Sequence, residues 1–115
     1  MLKIFHNPRC RKSREVLNLL RERGVDLVVI EYLKAPLKKK QIEDIISFLN
    51  ESDYKKIIRK NESIYKEKYK KKILSKHNLI QAILDDPILL ERPIVVRGKK
   101  AIIGRPPENI LALLK

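Results

Sequence analysis

The first 30 residues of the chain read MLKIFHNPRCRKSREVLNLLRERGVDLVVI. Leu2 to Phe5 is a short apolar run that predicts a strand, and the following apolar residues recur at helical spacing, which predicts a helix over about 13–23. Gly24 is suited to end that helix, and 25–32 contains a mostly β-branched run typical of a buried strand. Strand, helix and strand at this spacing predict a βαβ unit with two parallel strands.

Cys10 is the only cysteine, and it lies between the first predicted strand and the helix. A thiol at a helix start faces unpaired N–H groups and the positive end of the helix dipole, and both favour the thiolate. A lone cysteine is most often a small buried hydrophobe. The neighbours of Cys10 make a poor core, because Asn7, Pro8, Arg9 and Arg11 are polar, basic or cyclic. The sequence therefore predicts a reactive thiol.

The rest of the chain predicts further helices, a hairpin and a last helix. Apolar spacing indicates an amphipathic helix over about 38–49, a shorter helical piece near 57–59 and a helix over about 75–85 with Ser75 as its N-cap. Two β-rich runs, 93–96 and 101–103, flank a turn and predict a hairpin. Pro106 and Pro107 are expected to open the final helix.

This order of elements predicts an α/β protein with a thioredoxin-like fold. We expect a four-stranded mixed sheet with flanking helices and a helical insertion over about 38–86, all in a single domain spanning 1–115. In such folds a proline opens the first strand of the hairpin beside the reactive cysteine. Pro93 is in that place, so its peptide bond with Arg92 is expected to be cis.

The net charge of +13 is large for 115 residues. Residues 34–76 contribute most of it, with 14 Lys or Arg against 6 acidic residues. Such a surface can attract nucleic acid, an acidic protein or a small anion. Because 18 of the 27 basic residues are Lys, which lacks the planar fork of Arg, the sequence favours a solvated surface over a nucleic-acid partner.

The sequence also indicates the cellular compartment and the absence of a bound metal. One cysteine excludes an internal disulfide, and no stretch has the pattern of a signal peptide or a membrane span, so we expect a cytoplasmic protein with no membrane partner. No cluster of His and Cys suggests a metal site, and no metal is expected. A monomer is expected.

Several segments together resemble one known family. Residues 4–15, IFHNPRCRKSRE, resemble the active-site segment of the glutathione/glutaredoxin-linked arsenate reductases, the ArsC family. Residues 31–36 and 57–62 resemble the family's middle segments, and 87–96 and 103–108 its C-terminal ones. The resemblance keeps the order of the segments and spans nearly the whole chain.

The resemblance implies an activity and assigns roles to residues. Cys10 would be the nucleophile, and Arg59, Arg92 and Arg105 would bind the anion. Cys10 would attack arsenate and expel water, leaving a covalent thioarsenate. Glutathione would then act as a co-substrate that reduces arsenic, and glutaredoxin would release arsenite and the free enzyme. No bound cofactor is implied.

Three further residues are expected to support the thiolate. His6 falls on the histidine that ends the family's first strand, Ser13 can donate a hydrogen bond to the sulfur, and Arg14 adds positive charge. Ser13 cannot form a disulfide with Cys10. Because the chain has one thiol, the reducing electrons must come from another molecule.

The chain departs from the family pattern at the basic pair Arg11-Lys12, at Glu91, where a neutral residue is common, and over 63–76, where the match is poor. Two other interpretations remain open. One is an Spx-like regulator that binds RNA polymerase, against which Ser13 weighs because many such regulators use a Cys-x-x-Cys switch. The other is a non-catalytic ArsC-like protein, because folds and sites outlast their activities.

Overall fold

The computed structural model describes residues 1–49, 54–72 and 75–114. Its strands are β1 (Leu2–Phe5), β2 (Leu27–Ile30), β3 (Ile94–Arg97) and β4 (Lys100–Ile103), and its α-helices are α1 (Arg11–Glu22), α2 (Lys39–Phe48) and α3 (Lys76–Asp85). Shorter helical segments of the 3-10 type are Tyr54–Ile57, Pro87–Leu89 and Pro107–Leu114, and Tyr65–Tyr69 forms a π-helical turn.

The four strands form one mixed sheet in the order β2-β1-β3-β4. β1 pairs in parallel with β2 and antiparallel with β3, and β3 pairs antiparallel with β4. The predicted βαβ unit and the hairpin are therefore confirmed. The chain has the predicted thioredoxin-like α/β architecture, a four-stranded sheet flanked by helices with a helical insertion between β2 and β3.

Each face of the sheet is covered by its own apolar cluster. Side chains alternate along a strand, so Leu2 and Ile4 of β1 face one side and Phe5 faces the other. The first side is covered by α1 and the C-terminal segment Pro107–Leu114. The second side is covered by α2 and α3, whose apolar residues recur at helical spacing.

One expectation about a strand was wrong, and one helix is present in a tighter form. Residues 27–30 suggested a buried strand, but β2 lies at the edge of the sheet and its side chains are partly exposed, with Val28 at 38%. A β-branched run does not distinguish a central strand from an edge strand, because both positions favour the same residues. The final helix over Pro107–Leu114 is of the 3-10 type.

The lysine-rich segment is attached to the end of α3. Lys68 Nζ lies 2.9 Å from Asp86 Oδ2, and the Tyr69 hydroxyl donates to the same carboxylate. Ser75 caps α3 as predicted, since its Oγ accepts a hydrogen bond from the Asn78 amide at 3.1 Å. None of the helices in the described ranges combines the length and apolar character needed to cross a bilayer.

Gly104 lies where the two ends of the hairpin meet, and its amide donates to the Pro93 carbonyl at 2.9 Å. A Cβ atom there would lie 2.9 Å from Val16 Cγ2 and 3.0 Å from Pro93 Cγ, both inside the packed core. We expect Gly104→Ala to lower the free energy of unfolding by about 1–3 kcal/mol, because overpacking forces neighbouring groups to move.

Urea denaturation followed by circular dichroism measures this change. Asn18→Ala, at an exposed position on α1, is the control and is expected to change stability by less than about 0.5 kcal/mol. If the urea midpoint of Gly104→Ala equals that of the parent, the core accommodates the added methyl group.

Candidate active site

Cys10 immediately precedes α1 and has the extended backbone of an N-cap residue, with φ −95° and ψ 120°. Its carbonyl accepts the first helical hydrogen bond from the Arg14 amide at 3.0 Å, and its own amide donates to the Asn7 carbonyl at 3.0 Å. The Cys10 side chain is half-buried. The loop between β1 and α1 therefore places the thiol beside the unpaired amides of the helix start.

Two buried polar side chains support this loop from below. His6 Nδ1 lies 2.6 Å from Ser13 Oγ, and Ser13 Oγ also accepts a hydrogen bond from the Asn7 amide at 3.1 Å. Burial lowers the pKa of His6 and favours its neutral form. The Ser13 hydroxyl was expected to face the sulfur, but it is engaged by His6 and Asn7. The Ser13 main-chain N–H instead helps to lower the pKa of the Cys10 thiol.

Arg14 is exposed and braces the cysteine loop from outside. Its Nη1 donates to the Pro8 carbonyl at 2.9 Å. This contact ties the first turn of α1 to the segment that precedes Cys10. The structure therefore places Arg14 where it holds the loop in position.

Arg59, Arg92 and Arg105, which are far apart in the sequence, converge near the thiol. Arg105 reaches Cys10 directly, since its Nη2 lies 3.4 Å from the sulfur, and its Nε donates to the Arg92 carbonyl at 2.8 Å. Arg92 is buried, and its Nη1 donates to the Ile88 carbonyl at 3.2 Å. The peptide bonds Arg92–Pro93 and Arg105–Pro106 are both cis.

Arg59 joins the site through main-chain pairing. Ile58 forms an isolated antiparallel bridge with Leu90, and the Arg59 amide donates to the Leu89 carbonyl at 2.7 Å. The pairing places Arg59 next to the segment that carries Arg92. The sequence suggested that Arg59 belonged to a helical piece, but the 3-10 turn ends at Ile57 and Arg59 follows it in extended pairing.

The pKa of the Cys10 thiol lies below its ordinary value. Partial burial opposes ionisation, but the Ser13 amide, the hydrogen bond and charge of Arg92, and the charge of Arg105 together outweigh it. At neutral pH the thiolate is therefore more populated than in an exposed cysteine, and the thiolate is the reactive form.

Two carboxylates lie among the arginines. Glu91 Oε1 lies 2.8 Å from Arg59 Nη1 and 3.1 Å from Arg105 Nε. Glu62 Oε2 lies 3.0 Å from Arg59 Nε and 3.9 Å from Arg92 Nη1. The sequence marked Glu91 only as a departure from the family pattern and gave Glu62 no role. The spacing of Arg59 and Glu62, three residues apart, could have indicated their pairing.

Tyr32 is a further residue that sequence reasoning missed. It is almost fully buried, and its hydroxyl lies 3.5 Å from the Leu90 carbonyl. Burial raises the pKa of Tyr32 to about 12, and the charges of Arg92 and Cys10 also act on its hydroxyl. Tyr32 is therefore a neutral hydroxyl beneath the site, although the sequence analysis used it only as part of the segment 31–36.

The site is open to solvent on one side. A cleft of about 360 Å³ adjoins it on the side away from Cys10 and Arg92, and its lining includes Arg59, Glu91 and Arg105 together with three lysines. Such a cleft admits a small anion. Among the described residues, no cluster of His, Cys, Asp or Glu has the arrangement needed to hold a metal ion.

Comparison with known proteins agrees with this geometry. The profile of the ArsC family matches residues 5–113. The chain belongs to the ArsC family. It is 45% identical over 114 residues to a protein of Neisseria meningitidis named arsenate reductase, covering 98% of this chain and 97% of the relative. It is also 46% identical to the Escherichia coli protein YfgD, covering 98% of this chain and 96% of the relative.

A solved structure extends the likeness to three dimensions. An arsenate reductase from Vibrio cholerae superposes with a TM-score of 0.90 at 38% identity, covering 96% of this chain and 95% of the other. The ArsC-family assignment therefore rests on sequence and on fold together. The predicted family is confirmed.

Proposed function

We propose that this ArsC-family protein reduces arsenate to arsenite through a covalent intermediate on Cys10. The observation that carries the proposal is a low-pKa thiol with an arginine Nη2 at 3.4 Å and two further arginines within the same network. A thiolate and an oxyanion repel each other, so their approach requires this positive charge.

Arsenate would bind where the arginines meet the start of α1. Arginine forks and helix-start amides are both suited to oxyanion oxygens. Within the described part of the chain, Arg92 Nε is a buried side-chain nitrogen without a hydrogen-bond partner. Most buried polar atoms in proteins have a partner. An oxygen of the bound oxyanion would supply one, which supports Arg92 as a binding residue.

The first chemical step forms a sulfur–arsenic bond. Cys10 attacks arsenic, an arsenic–oxygen bond breaks, and the oxygen leaves as water after taking up protons. In net terms, the thiol and hydrogen arsenate give the thioarsenate and water, and arsenic stays pentavalent. The arginines stabilise the charge that develops on the equatorial oxygens as arsenic expands its coordination.

The second step requires an external thiol, because Cys10 is the only cysteine. A thiolate such as that of glutathione would attack the Cys10 sulfur. The sulfur–arsenic bond breaks, its electron pair stays on arsenic, and three protons complete trivalent arsenious acid. Cys10 is then held in a mixed disulfide, which glutaredoxin would reduce to restore the thiol. This chemistry requires a reducing compartment, and we propose the cytoplasm.

A coupled assay tests the proposal. The protein, glutathione, glutaredoxin and glutathione reductase are combined in phosphate-free buffer, and arsenate-dependent oxidation of NADPH is followed. We expect turnover that rises with protein concentration and requires both arsenate and the external thiol. Reactions without the protein set the background.

The alternatives predict a different outcome. A non-catalytic protein and an Spx-like regulator would give no turnover above background with any of several thiol donors. That result would reject the reductase proposal, and recovery of RNA polymerase with the protein would then favour the regulator.

A further inference from the structure

Glu91 contacts the same N–H groups that would bind an oxyanion. Its Oε1 accepts from Arg59 Nη1 at 2.8 Å and from the Arg92 main-chain amide at 3.1 Å, and lies 3.1 Å from Arg105 Nε. The side chain is 20% exposed and borders the open cleft. One carboxylate oxygen thus lies among donors from three arginine residues, as an oxygen of a bound oxyanion would.

The three arginines of the site are paired with carboxylates before any ligand arrives. Arg59, Arg92 and Arg105 carry three positive charges, and Glu62 and Glu91 carry two negative charges. The thiolate of Cys10 adds a third negative charge. An entering oxyanion therefore meets arginines that are already paired, and the attraction that remains comes from their other N–H groups, from the lysines that line the cleft and from the start of α1.

We propose that Glu91, aided by Glu62, determines the specificity of this site by keeping its non-covalent affinity for tetrahedral oxyanions low. Glu91 competes for N–H groups of Arg59 and Arg105, so an oxyanion is retained only when it also forms a bond to Cys10. The proposal rests on the proposed function in assuming that the oxyanion enters between the arginines.

The chemical reason is the similarity of arsenate and phosphate. Both are tetrahedral and carry similar charge, so arginine forks bind both and do not discriminate between them. Arsenic accepts a thiolate and exchanges its oxygen far more readily than phosphorus does. Weak non-covalent binding followed by bond formation to Cys10 therefore favours arsenate, whereas three unpaired arginines would be occupied by phosphate.

Phosphate binding tests the proposal without any turnover. Isothermal titration calorimetry at fixed ionic strength measures the dissociation constant of inorganic phosphate for the parent and for Glu91→Gln. Glutamine keeps the shape and one acceptor oxygen but removes the charge. We expect the phosphate dissociation constant to fall at least about tenfold, because a competing charge has been removed a few ångströms from the ligand.

Two variants control for other causes. Glu91→Asp keeps the charge and is expected to bind phosphate within about threefold of the parent. Glu22→Gln makes the same change in net charge at the exposed far end of α1, roughly 18 Å along the helix from Cys10, and is also expected to leave binding unchanged. If Glu91→Gln does not fold, judged by circular dichroism, Glu62→Gln takes its place with the same expected direction.

The direction of the change in the phosphate dissociation constant separates the proposal from a purely structural role of Glu91. If Glu91 merely held the arginines in place, its removal would weaken phosphate binding. Unchanged or weaker binding in the neutral variant therefore overturns the proposal. If Glu91→Gln binds phosphate more tightly and the parent shows no turnover in the coupled arsenate assay, the results support a charge-compensated oxyanion site and reject the proposed reduction.

Discussion

Cys10→Ser is expected to reduce arsenate turnover to background, a fall of at least about a thousandfold. A serine hydroxyl is not ionised at neutral pH, even beside the Arg105 guanidinium. In the parent, Arg105 Nη2 lies 3.4 Å from the Cys10 sulfur. It also cannot form the mixed disulfide that carries electrons from the external thiol. The coupled assay measures the loss, and mass spectrometry of the parent treated with arsenate measures the covalent adduct that the variant should lack.

The serine variant is expected to fold like the parent. Cys10 is only half-buried, and its side chain lies at the surface of the loop rather than in either apolar cluster. Circular dichroism and thermal unfolding check this point. A folded Cys10→Ser protein that kept a tenth or more of the parent activity would mean that another group is the nucleophile.

Arg92→Ala is expected to lower kcat/KM for arsenate by about 10²–10³, the range seen when one donor to a developing oxyanion is removed. The same change should raise the pKa of the Cys10 thiol, because Arg92 lowers it through both a hydrogen bond and its charge. The pH profile of alkylation by iodoacetamide should therefore move to higher pH. Arg92→Lys should recover only part of the activity, because lysine restores the charge without the planar fork.

Arg23→Ala is the matched control, because Arg23 is exposed at the C-terminal end of α1, away from the thiol. It should leave both kcat/KM and the alkylation profile unchanged. An Arg92→Ala protein with kcat/KM within about threefold of the parent would exclude Arg92 from anion binding. An unchanged alkylation profile would mean that Arg92 does not stabilise the thiolate.

The residues near Cys10 show how far local sequence reasoning reached. The position of the thiol at a helix start follows from an apolar run, a loop and helical spacing, all within 30 residues. The sequence offered the Ser13 hydroxyl as a donor to the sulfur, whereas in the structure this hydroxyl contacts the His6 ring and the Asn7 amide. Those positions are set by packing below the loop.

The meeting of the three arginines, in contrast, depends on contacts between distant parts of the chain. Arg92 and Arg105 meet because Arg105 Nε donates to the Arg92 carbonyl, and Arg59 reaches them through an isolated bridge between Ile58 and Leu90. Without the family resemblance, composition offered no reason to choose Arg59 from the surrounding basic residues. Glu91 could be recognised as a partner of Arg59 and Arg105 only after the chain had been folded.

The βαβ unit, the hairpin, the mixed sheet and the lone thiol before a helix could all be predicted from the amino-acid sequence. These features depend on periodicity and on neighbours close along the chain. Folding was needed to show that Glu91 and Glu62 pair with the three arginines around Cys10, and that β2 is an edge strand. The physical reason is that electrostatic interactions and burial depend on distance in space, and residues 32 to 95 positions apart meet at this site.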